Sequence, residues 1–210
     1  INYAIQNGYI KSGTTNDNSI LKEMDLIILA IYPQSIINFL KENNHLFKKN
    51  QVITDVCGIK TSFVSKATLL SGEAVYLSHH PMAGKEVYGV KNADKTIFKG
   101  ANYIVVPTEK NTKEAIELCS NLGELLGFKQ VAILSVEEHD KMIAFLSQLT
   151  HCIAVSLMCC NDTPGLEAYT GDSFRDLTRI ARINDEMWSE LFLLNRDALL
   201  DQMSLFQDEL

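Results

Sequence analysis

Residues 74–90 read Ala-Val-Tyr-Leu-Ser-His-His-Pro-Met-Ala-Gly-Lys-Glu-Val-Tyr-Gly-Val, a strand-like run followed by a loop that contains two histidines. Neighbouring residues of a strand project to opposite faces, so we expect only one of His79 and His80 to enter a crevice. Pro81 has no N–H to donate and is predicted to stop the ladder. An imidazole at the carboxyl end of a strand in an α/β sheet suits a general acid or base. A turn with one packed and one surface histidine fits the pattern equally well.

Apolar runs on both sides of this stretch predict the fold. The run from Asp25 to Ile31 suits a strand that is buried on both faces of a parallel sheet. Further strand-like runs occupy residues 51–55, 74–77, 102–106 and 130–134. Apolar residues at helical spacing predict helices over residues 34–47, 59–70 and 112–126. Because strands alternate with helices, residues 1–134 are predicted to form a Rossmann-like, doubly wound parallel sheet that binds a dinucleotide.

The glycine-rich turn that opens such a domain, G-x-G-x-x-G, does not occur in the sequence. If the strand at residues 25–31 is an internal one, about 30–40 residues of a βαβ opening would stand in front of it. We therefore expect the dinucleotide-binding domain to be N-terminally truncated. We also expect the chain to bind a dinucleotide weakly, because that turn supplies the helix N-terminus for the pyrophosphate.

Beyond residue 134 the pattern becomes entirely helical. A helix is predicted over residues 136–160, apolar on most of its circumference, and others over residues 173–182 and 185–208. The apolar surface exceeds what a monomeric helix layer needs, so residues 135–210 are predicted to form an all-helical dimerisation domain. A larger monomeric core is the alternative. The predicted fold class is α/β, an incomplete Rossmann-like parallel sheet domain followed by this helical domain.

Composition excludes several classes of protein. The net charge of −7 and the pI of about 5.2 argue against a nucleic-acid partner or an anionic membrane. No uninterrupted run of 18 apolar residues occurs, so no membrane span is predicted. The five cysteines show no CxxC spacing, which is typical of reduced thiols in a cytoplasmic protein and predicts no metal site.

A polar stripe interrupts the predicted long helix. Ser147, Thr150 and His151 stand at positions i, i+3 and i+4 and therefore share one helix face. Polar side chains on a buried helix must be paired or must line a site. A hydrogen-bonded core histidine remains the alternative interpretation.

The helix predicted at residues 173–182 carries an excess of positive charge. Its polar face contains Arg175, Thr178, Arg179 and Arg182. Arginines in the first turns oppose the helix dipole, so a bound carboxylate or phosphate is expected near them. Arginine instead of lysine suggests bidentate recognition of a carboxylate. The alternative is a solvated basic face with Asp176 as a local partner.

Four motifs together resemble the prephenate dehydrogenase family. They are Asp-Val-x-Gly-x-Lys at residues 55–60, His-Pro-Met-Ala-Gly-Lys-Glu at 80–86, Ser-x-Leu-x-His at 147–151, and Phe-Arg-Asp-x-Thr-Arg-Ile-Ala at 174–181. The last motif precedes a Met-Trp pair. The motifs occur in the order of the family, and the resemblance covers nearly all 210 residues.

The resemblance implies oxidative decarboxylation of prephenate to 4-hydroxyphenylpyruvate and CO₂ in tyrosine biosynthesis. The implied cofactor is NAD or NADP, with NAD slightly favoured, and the implied assembly is a cytoplasmic homodimer formed through the C-terminal helices. Arogenate dehydrogenase is the nearest alternative. A non-catalytic fragment or dimerisation module, and a dehydrogenase acting on a β-hydroxy acid, are alternatives of other classes.

The resemblance also assigns residue roles. His80 would be the catalytic hydrogen-bond acceptor for the ring hydroxyl of the substrate. The implied substrate-binding residues are His151, Arg179, Arg175, Ser147, Glu86, Asp176 and Trp188. Of these, His151 would contact the pyruvyl side chain and Arg179 would bind a carboxylate. The implied cofactor-binding residues are Tyr32, Pro33, Asp55, Cys57 and Gly58.

The chain departs from the family pattern at two places. Cys57 and Gly58 stand where many relatives have Gly-Ser, so a serine hydroxyl near the nicotinamide is missing. Gln148 and Thr150 stand where many relatives have a histidine and a proline.

Overall fold

The computed structural model describes residues 1–85, 87 and 89–210. The chain divides into two compact units, Ile1–Val136 and Glu137–Leu210. The first unit mixes strands and helices, and the second, whose residues are all described, contains helices joined by short irregular segments and no strand. This arrangement confirms the predicted fold class, a Rossmann-like sheet domain followed by a helical domain.

Two three-stranded sheets form the framework of the α/β unit. Their strands are β1 (Leu26–Leu29), β2 (Val52–Asp55), β3 (Val75–Tyr76), β4 (Ser78–Met82), β5 (Asn102–Val106) and β6 (Gln130–Ile133). The strand orders are β1-β2-β3 and β4-β5-β6. All neighbouring strands are parallel except β4 and β5, which pair antiparallel with His80 opposite Ile104. The sheet is thus not purely parallel, contrary to the expectation from the alternation of strands and helices.

Two predictions about individual strands are wrong. The ladder of β4 continues through Pro81, which stands opposite Tyr103. Because β4 lies at the edge of its sheet, a missing N–H is tolerated there. Strand β1 is not buried on both faces, since Ile27 and Leu29 are buried but Ile28 on the other face is 46% exposed.

Four helices accompany these sheets: α1 (Asn2–Gln6), α2 (Pro33–Asn43), α3 (Val64–Leu70) and α4 (Lys113–Leu125). Short 3₁₀ turns occupy Asn18–Glu23, Asn44–Leu46, Val90–Asn92 and Lys95–Phe98. Thr112 caps α4 through its hydroxyl, and Gly127 follows the helix with φ +85°. Helix α3 begins later than predicted, because the backbone turns at Lys60, whose carbonyl accepts from the N–H groups of Phe63 and Val64.

An apolar cluster of this unit lies between β5 and α4. It consists of Leu77, Tyr103, Val105, Ala115, Cys119 and Phe128. Gly123 permits the close approach of α4, since a Cβ at this position would lie 2.6 Å from the Tyr103 ring. The cluster anchors β5 and, through the β4–β5 pairing, the strand that carries both histidines.

The helical unit opens with one continuous helical run in three parts. These are α5 (Val136–Ile143), a π-helical turn (Ala144–Leu149) and α6 (Thr150–Cys159). After a 3₁₀ turn at Leu166–Ala168 come α7 (Asp172–Thr178), a 3₁₀ turn at Arg179–Ala181, α8 (Asp185–Leu194) and α9 (Arg196–Glu209). The single long helix predicted from residue 185 is wrong, because the backbone leaves helical geometry at Asn195 (φ −121°, ψ 27°).

The run Val136–Cys159 is the one helix among the described residues with the length and apolar composition of a membrane span. Only 28% of its apolar window is buried within the chain, although Gln148 in this run is buried and hydrogen-bonded.

Candidate functional site

The two histidines of β4 have different environments. His79 is 2% exposed, and its ring lies against that of Tyr103 with 4.9 Å between centroids. Neither ring nitrogen of His79 has a hydrogen-bond partner within the described part of the chain. Burial, together with the nearby charge of Lys60, lowers the pKa of His79 to about 4. His80 is half-buried on the opposite face of the strand. His80 is therefore the histidine of this pair that a ligand could reach.

A buried polar network lies beside these histidines and centres on Asp55. The Asp55 Oδ1 accepts from the Lys60 ammonium at 2.8 Å and from the backbone N–H of Cys57 at 3.0 Å. The Asp55 Oδ2 accepts from the hydroxyls of Tyr76 at 2.7 Å and Ser78 at 2.5 Å. Both Asp55 and Lys60 are fully buried. Sequence patterns do not predict this network. The one local indication is Lys60, a charged residue that directly follows the less polar stretch Val56–Ile59.

The network keeps the carboxylate charged. Burial alone would raise the pKa of Asp55, but the charge of Lys60 and the hydrogen bonds from Lys60, Ser78 and Tyr76 hold it below its ordinary value. The same arrangement raises the pKa of Tyr76 well above its ordinary value, because the hydroxyl is buried and faces a carboxylate. Since the Asp55 side chain is enclosed, it can serve a cofactor only through the loop that it holds.

The carboxyl ends of β1 and β2 carry the other residues expected near a cofactor. Tyr32 is exposed after β1, and Pro33 begins α2, whose N-terminus has no side-chain cap. The Cys57 thiol lies 3.5 Å from the carbonyl oxygen of Ile31, which links the loop after β2 to the end of β1. Gly58 is half-buried beside it. Ligands of α/β sheets bind outside the carboxyl ends of strands, and helix N-termini attract phosphate, so these residues fit part of a dinucleotide site.

In the helical unit, the polar stripe is organised around a backbone carbonyl. The Ser147 carbonyl oxygen lies 2.8 Å from His151 Nδ1 and 2.7 Å from the Thr150 hydroxyl. Because a carbonyl only accepts, a proton is fixed at Nδ1 of His151. The His151 ring lies against Trp188 at 3.8 Å between centroids, and Trp188 contacts Phe192 at 5.2 Å. The structure thus brings His151 and Trp188 together, and Ser147 contributes its carbonyl.

Next to this stripe lies a network of neutral amides that the sequence analysis missed. Gln148, only 1% exposed, donates from Nε2 to the Leu191 carbonyl at 3.0 Å. Asn195 donates from Nδ2 to Gln148 Oε1 at 2.8 Å and to the Asp140 carbonyl at 2.9 Å. These bonds join the first helical run to the junction of α8 and α9. A buried glutamine in an apolar helix was the signal that pointed to a partner.

The arginines of the helical unit are exposed. Arg175 is engaged locally, since it donates to the Thr170 carbonyl at 2.8 Å and forms an ion pair with Asp172. The carboxylate that pairs with Arg175 is therefore that of Asp172, not that of Asp176 as the alternative interpretation expected. Arg179 and Asp176 lie at the surface of α7 and the 3₁₀ turn that follows it. Glu86 lies outside the described residues.

A nucleotide-binding type of α/β unit followed by a helical unit defines the class of two-domain dehydrogenases. Residues 3–132 match the family model "Prephenate dehydrogenase, nucleotide-binding domain", and residues 135–210 match "Prephenate dehydrogenase, dimerization domain". The chain belongs to the prephenate dehydrogenase family. The resemblance inferred from the four motifs is thereby confirmed.

Individual relatives agree with this assignment. The prephenate dehydrogenase of Bacillus subtilis is 32% identical over 208 residues, which is 95% of this chain and 55% of that protein. The cyclohexadienyl dehydrogenase of Zymomonas mobilis is 26% identical over 193 residues, 89% of this chain and 65% of that protein. The chain thus spans between about half and two thirds of the length of these relatives.

A solved structure extends the likeness to the whole chain. The crystal structure of Aquifex aeolicus prephenate dehydrogenase in complex with hydroxyphenyl propionate and NAD⁺ has a TM-score of 0.88 and 26% identity. It covers 100% of this chain, and the match covers 74% of that protein chain.

Proposed function

We propose that this chain carries the catalytic machinery of an NAD-dependent prephenate dehydrogenase, which converts prephenate to 4-hydroxyphenylpyruvate and CO₂ in tyrosine biosynthesis. The observation that carries the proposal is His80, half-buried in the family's His-Pro-Met-Ala-Gly-Lys-Glu motif, beside a buried ion pair. The relatives named prephenate dehydrogenase support the reaction, and the Aquifex complex with NAD⁺ supports NAD over NADP.

In this proposal His80 acts as the general base. A nitrogen of its imidazole accepts the proton of the substrate's ring hydroxyl as hydride leaves the carbon that bears it. The nicotinamide, when bound, supplies the hydride acceptor. The ring carboxylate departs as CO₂ while the ring becomes aromatic. Because positive character grows at the oxidised carbon, a neutral imidazole stabilises the transition state more than the ground state.

We assign nicotinamide cofactor binding to residues 1–134, as an N-terminally truncated domain. Tyr32 and Gly58 would contact the cofactor directly, and Pro33 would present the uncapped N-terminus of α2. Cys57 and the enclosed Asp55 would hold the loop after β2 in place. These side chains fit the crevice outside parallel strands in which dinucleotides bind.

We assign substrate binding and dimerisation to residues 135–210. Arg179 would bind a substrate carboxylate and His151 the pyruvyl side chain. Ser147 and Trp188 would orient His151, as their contacts with it suggest. The further proposed contributors are Arg175, Asp176 and Glu86.

A homodimer is proposed from the apolar surface of the helical unit. Phe145, Leu146, Leu193 and Leu205 are each more than half exposed. The family model for residues 135–210 is a dimerization domain, which favours a second copy as the occupant of this surface. We propose a cytoplasmic enzyme without nucleic-acid or membrane partners, in keeping with its negative charge and free cysteines.

The test is a dehydrogenase assay with prephenate and arogenate, each with NAD⁺ and NADP⁺ at high concentration. We expect NADH formation with prephenate. His80→Asn should lower kcat by ~10²–10⁴ with KM nearly unchanged. His45→Asn is the matched control, since His45 is an exposed histidine of the same unit. If His80→Asn retains kcat while His79→Asn loses it, His79 is the base and our assignment is wrong. If the chain oxidises arogenate but not prephenate, arogenate is the substrate.

A second variant separates binding from chemistry. Arg179→Ala should raise KM for prephenate by about tenfold or more with little change in kcat, because the carboxylate it binds is present before the reaction. Arg182→Ala, which removes a neighbouring exposed arginine, should leave KM unchanged. Equal effects of both variants would indicate a general loss of positive charge instead of a specific contact.

A further inference from the structure

The buried Lys60 makes a second hydrogen bond besides the one to Asp55. Compensating the charge of Asp55 does not require this second bond. Its ammonium donates to the carbonyl oxygen of His79 at 2.8 Å, in addition to Asp55 Oδ1 at 2.8 Å. A lysine without exposed surface is costly to bury, and an ion pair of this kind is often replaceable by apolar residues without loss of stability. The geometry of the second bond indicates what the lysine does.

The His79 carbonyl belongs to the peptide group whose nitrogen is that of His80. One residue earlier, the Ser78 hydroxyl donates to Asp55 Oδ2 at 2.5 Å. Asp55 and Lys60 therefore hold two successive residues of β4, one through its side chain and one through its backbone. Both bonds lie immediately before the proposed catalytic histidine.

The His79 ring makes no hydrogen bond with the described residues and contributes only its packing against Tyr103. Pairing with β5 fixes the strand, with His79 opposite Val105 and His80 opposite Ile104. Strand β4 forms a ladder only with β5 in its sheet. The bond from Lys60 to the His79 carbonyl is an additional contact outside that ladder.

We propose that Lys60 is a positioning residue: by donating to the His79 carbonyl, it fixes the peptide plane before His80 and thereby the direction of the His80 imidazole. Asp55 holds the lysine in place through its own hydrogen bond, and the pair acts on catalysis through His80 alone. The inference rests on the proposed function only for its catalytic consequence, because the positioning itself can be measured without turnover.

The experiment compares two variants that share one substitution, in the isotopically labelled 210-residue chain. Asp55→Asn removes the carboxylate charge and costs stability, but its amide oxygen can still accept from Lys60, which therefore remains a donor to the His79 carbonyl. Asp55→Asn with Lys60→Met removes that donor and leaves no unpaired buried charge, so that the fold is retained. NMR follows the carbonyl carbon of His79 and the ring signals of His80, with His45 and His151 as internal references.

We expect the single variant to keep both sets of signals near their wild-type positions. The double variant should shift the His79 carbonyl signal upfield and displace and broaden the His80 ring signals, while His45 and His151 stay unchanged. Unchanged His80 signals in the double variant would overturn the proposal. A second measurement needs no variant: a coupling across the hydrogen bond between Lys60 Nζ and the His79 carbonyl carbon should be detectable, and its absence would also overturn it.

Turnover adds the catalytic consequence. Relative to Asp55→Asn, the double variant should lower kcat for prephenate by about ten- to a hundredfold with little change in KM, as expected for a misplaced base. Lys66→Met, at an exposed lysine of α3, is the control. If the wild-type chain does not oxidise prephenate, the proposed function fails, and the NMR comparison still decides whether Lys60 positions His80.

Discussion

In the α/β unit, the backbone beside His80 is held by a buried ion pair, whereas in the helical unit the helix that carries His151 is held by neutral amides. Lys60 and Asp55 make charged hydrogen bonds in a fully enclosed place. Gln148 and Asn195 make uncharged ones and are also buried. Charged bonds are shorter and stronger, but each charge is costly when its partner is lost. The two networks should therefore respond very differently to the loss of one member.

The largest effect is expected for the ion pair. Lys60→Met should lower the free energy of unfolding by about 3–5 kcal/mol, because Asp55 is then left as an uncompensated buried charge. Adding Asp55→Asn should recover much of that loss. Denaturation in urea, followed by circular dichroism, measures both values, with Lys66→Met as the control. If the double variant is no more stable than Lys60→Met, the lost hydrogen bonds of Lys60, not the unpaired charge of Asp55, account for most of the loss in the free energy of unfolding.

The next effect is a loss of stability in acid that originates in the α/β unit. The pKa of His79 is about 4 in the folded chain, below its ordinary value of 6.5. The unfolded chain therefore binds this proton first, so the stability is fully present above pH 6.5 and is lost as the pH falls towards 4. The full difference corresponds to about 3 kcal/mol.

His79→Phe should flatten this part of the pH dependence, because it keeps an aromatic ring against Tyr103 but cannot be protonated. Urea denaturation between pH 7 and 4 measures the effect, and His45→Asn serves as the control. An unchanged slope in His79→Phe would assign the acid sensitivity to other groups.

The smallest effect is expected for the amide network. Asn195→Ala should cost about 1–3 kcal/mol, because it leaves the buried Gln148 oxygen without its Asn195 donor. Asn195→Leu combined with Gln148→Leu should cost less than the sum of the single changes, since no side-chain amide then remains unpaired. Trp188 is the only tryptophan and lies in this unit, so its fluorescence reports the unfolding directly. If the loss of stability in the double variant equals the sum of the two single losses, Gln148 and Asn195 are not energetically coupled.

Local patterns predicted the regular elements of both units well. Apolar runs located the strand at residues 102–106, and the Thr112 cap and Gly127 bounded α4. Motif order was sufficient for the family, which the family models confirm over residues 3–132 and 135–210. The alternation of side chains in a strand also indicated that the two histidines would differ, and the structure buries His79 and leaves His80 half-exposed.

The sequence by itself determined the order of the elements, the family and the candidate site residues, because these depend on neighbours a few positions apart. Only the tertiary structure decided the antiparallel pairing of β4 with β5, the late start of α3 and the helix break at Asn195. It also decided which polar residues pair inside each unit. Lys60 meets a carbonyl 19 residues away, and Asn195 meets one 55 residues away. Such bonds depend on which distant groups the packed chain brings together when water is excluded, and no local spacing encodes that.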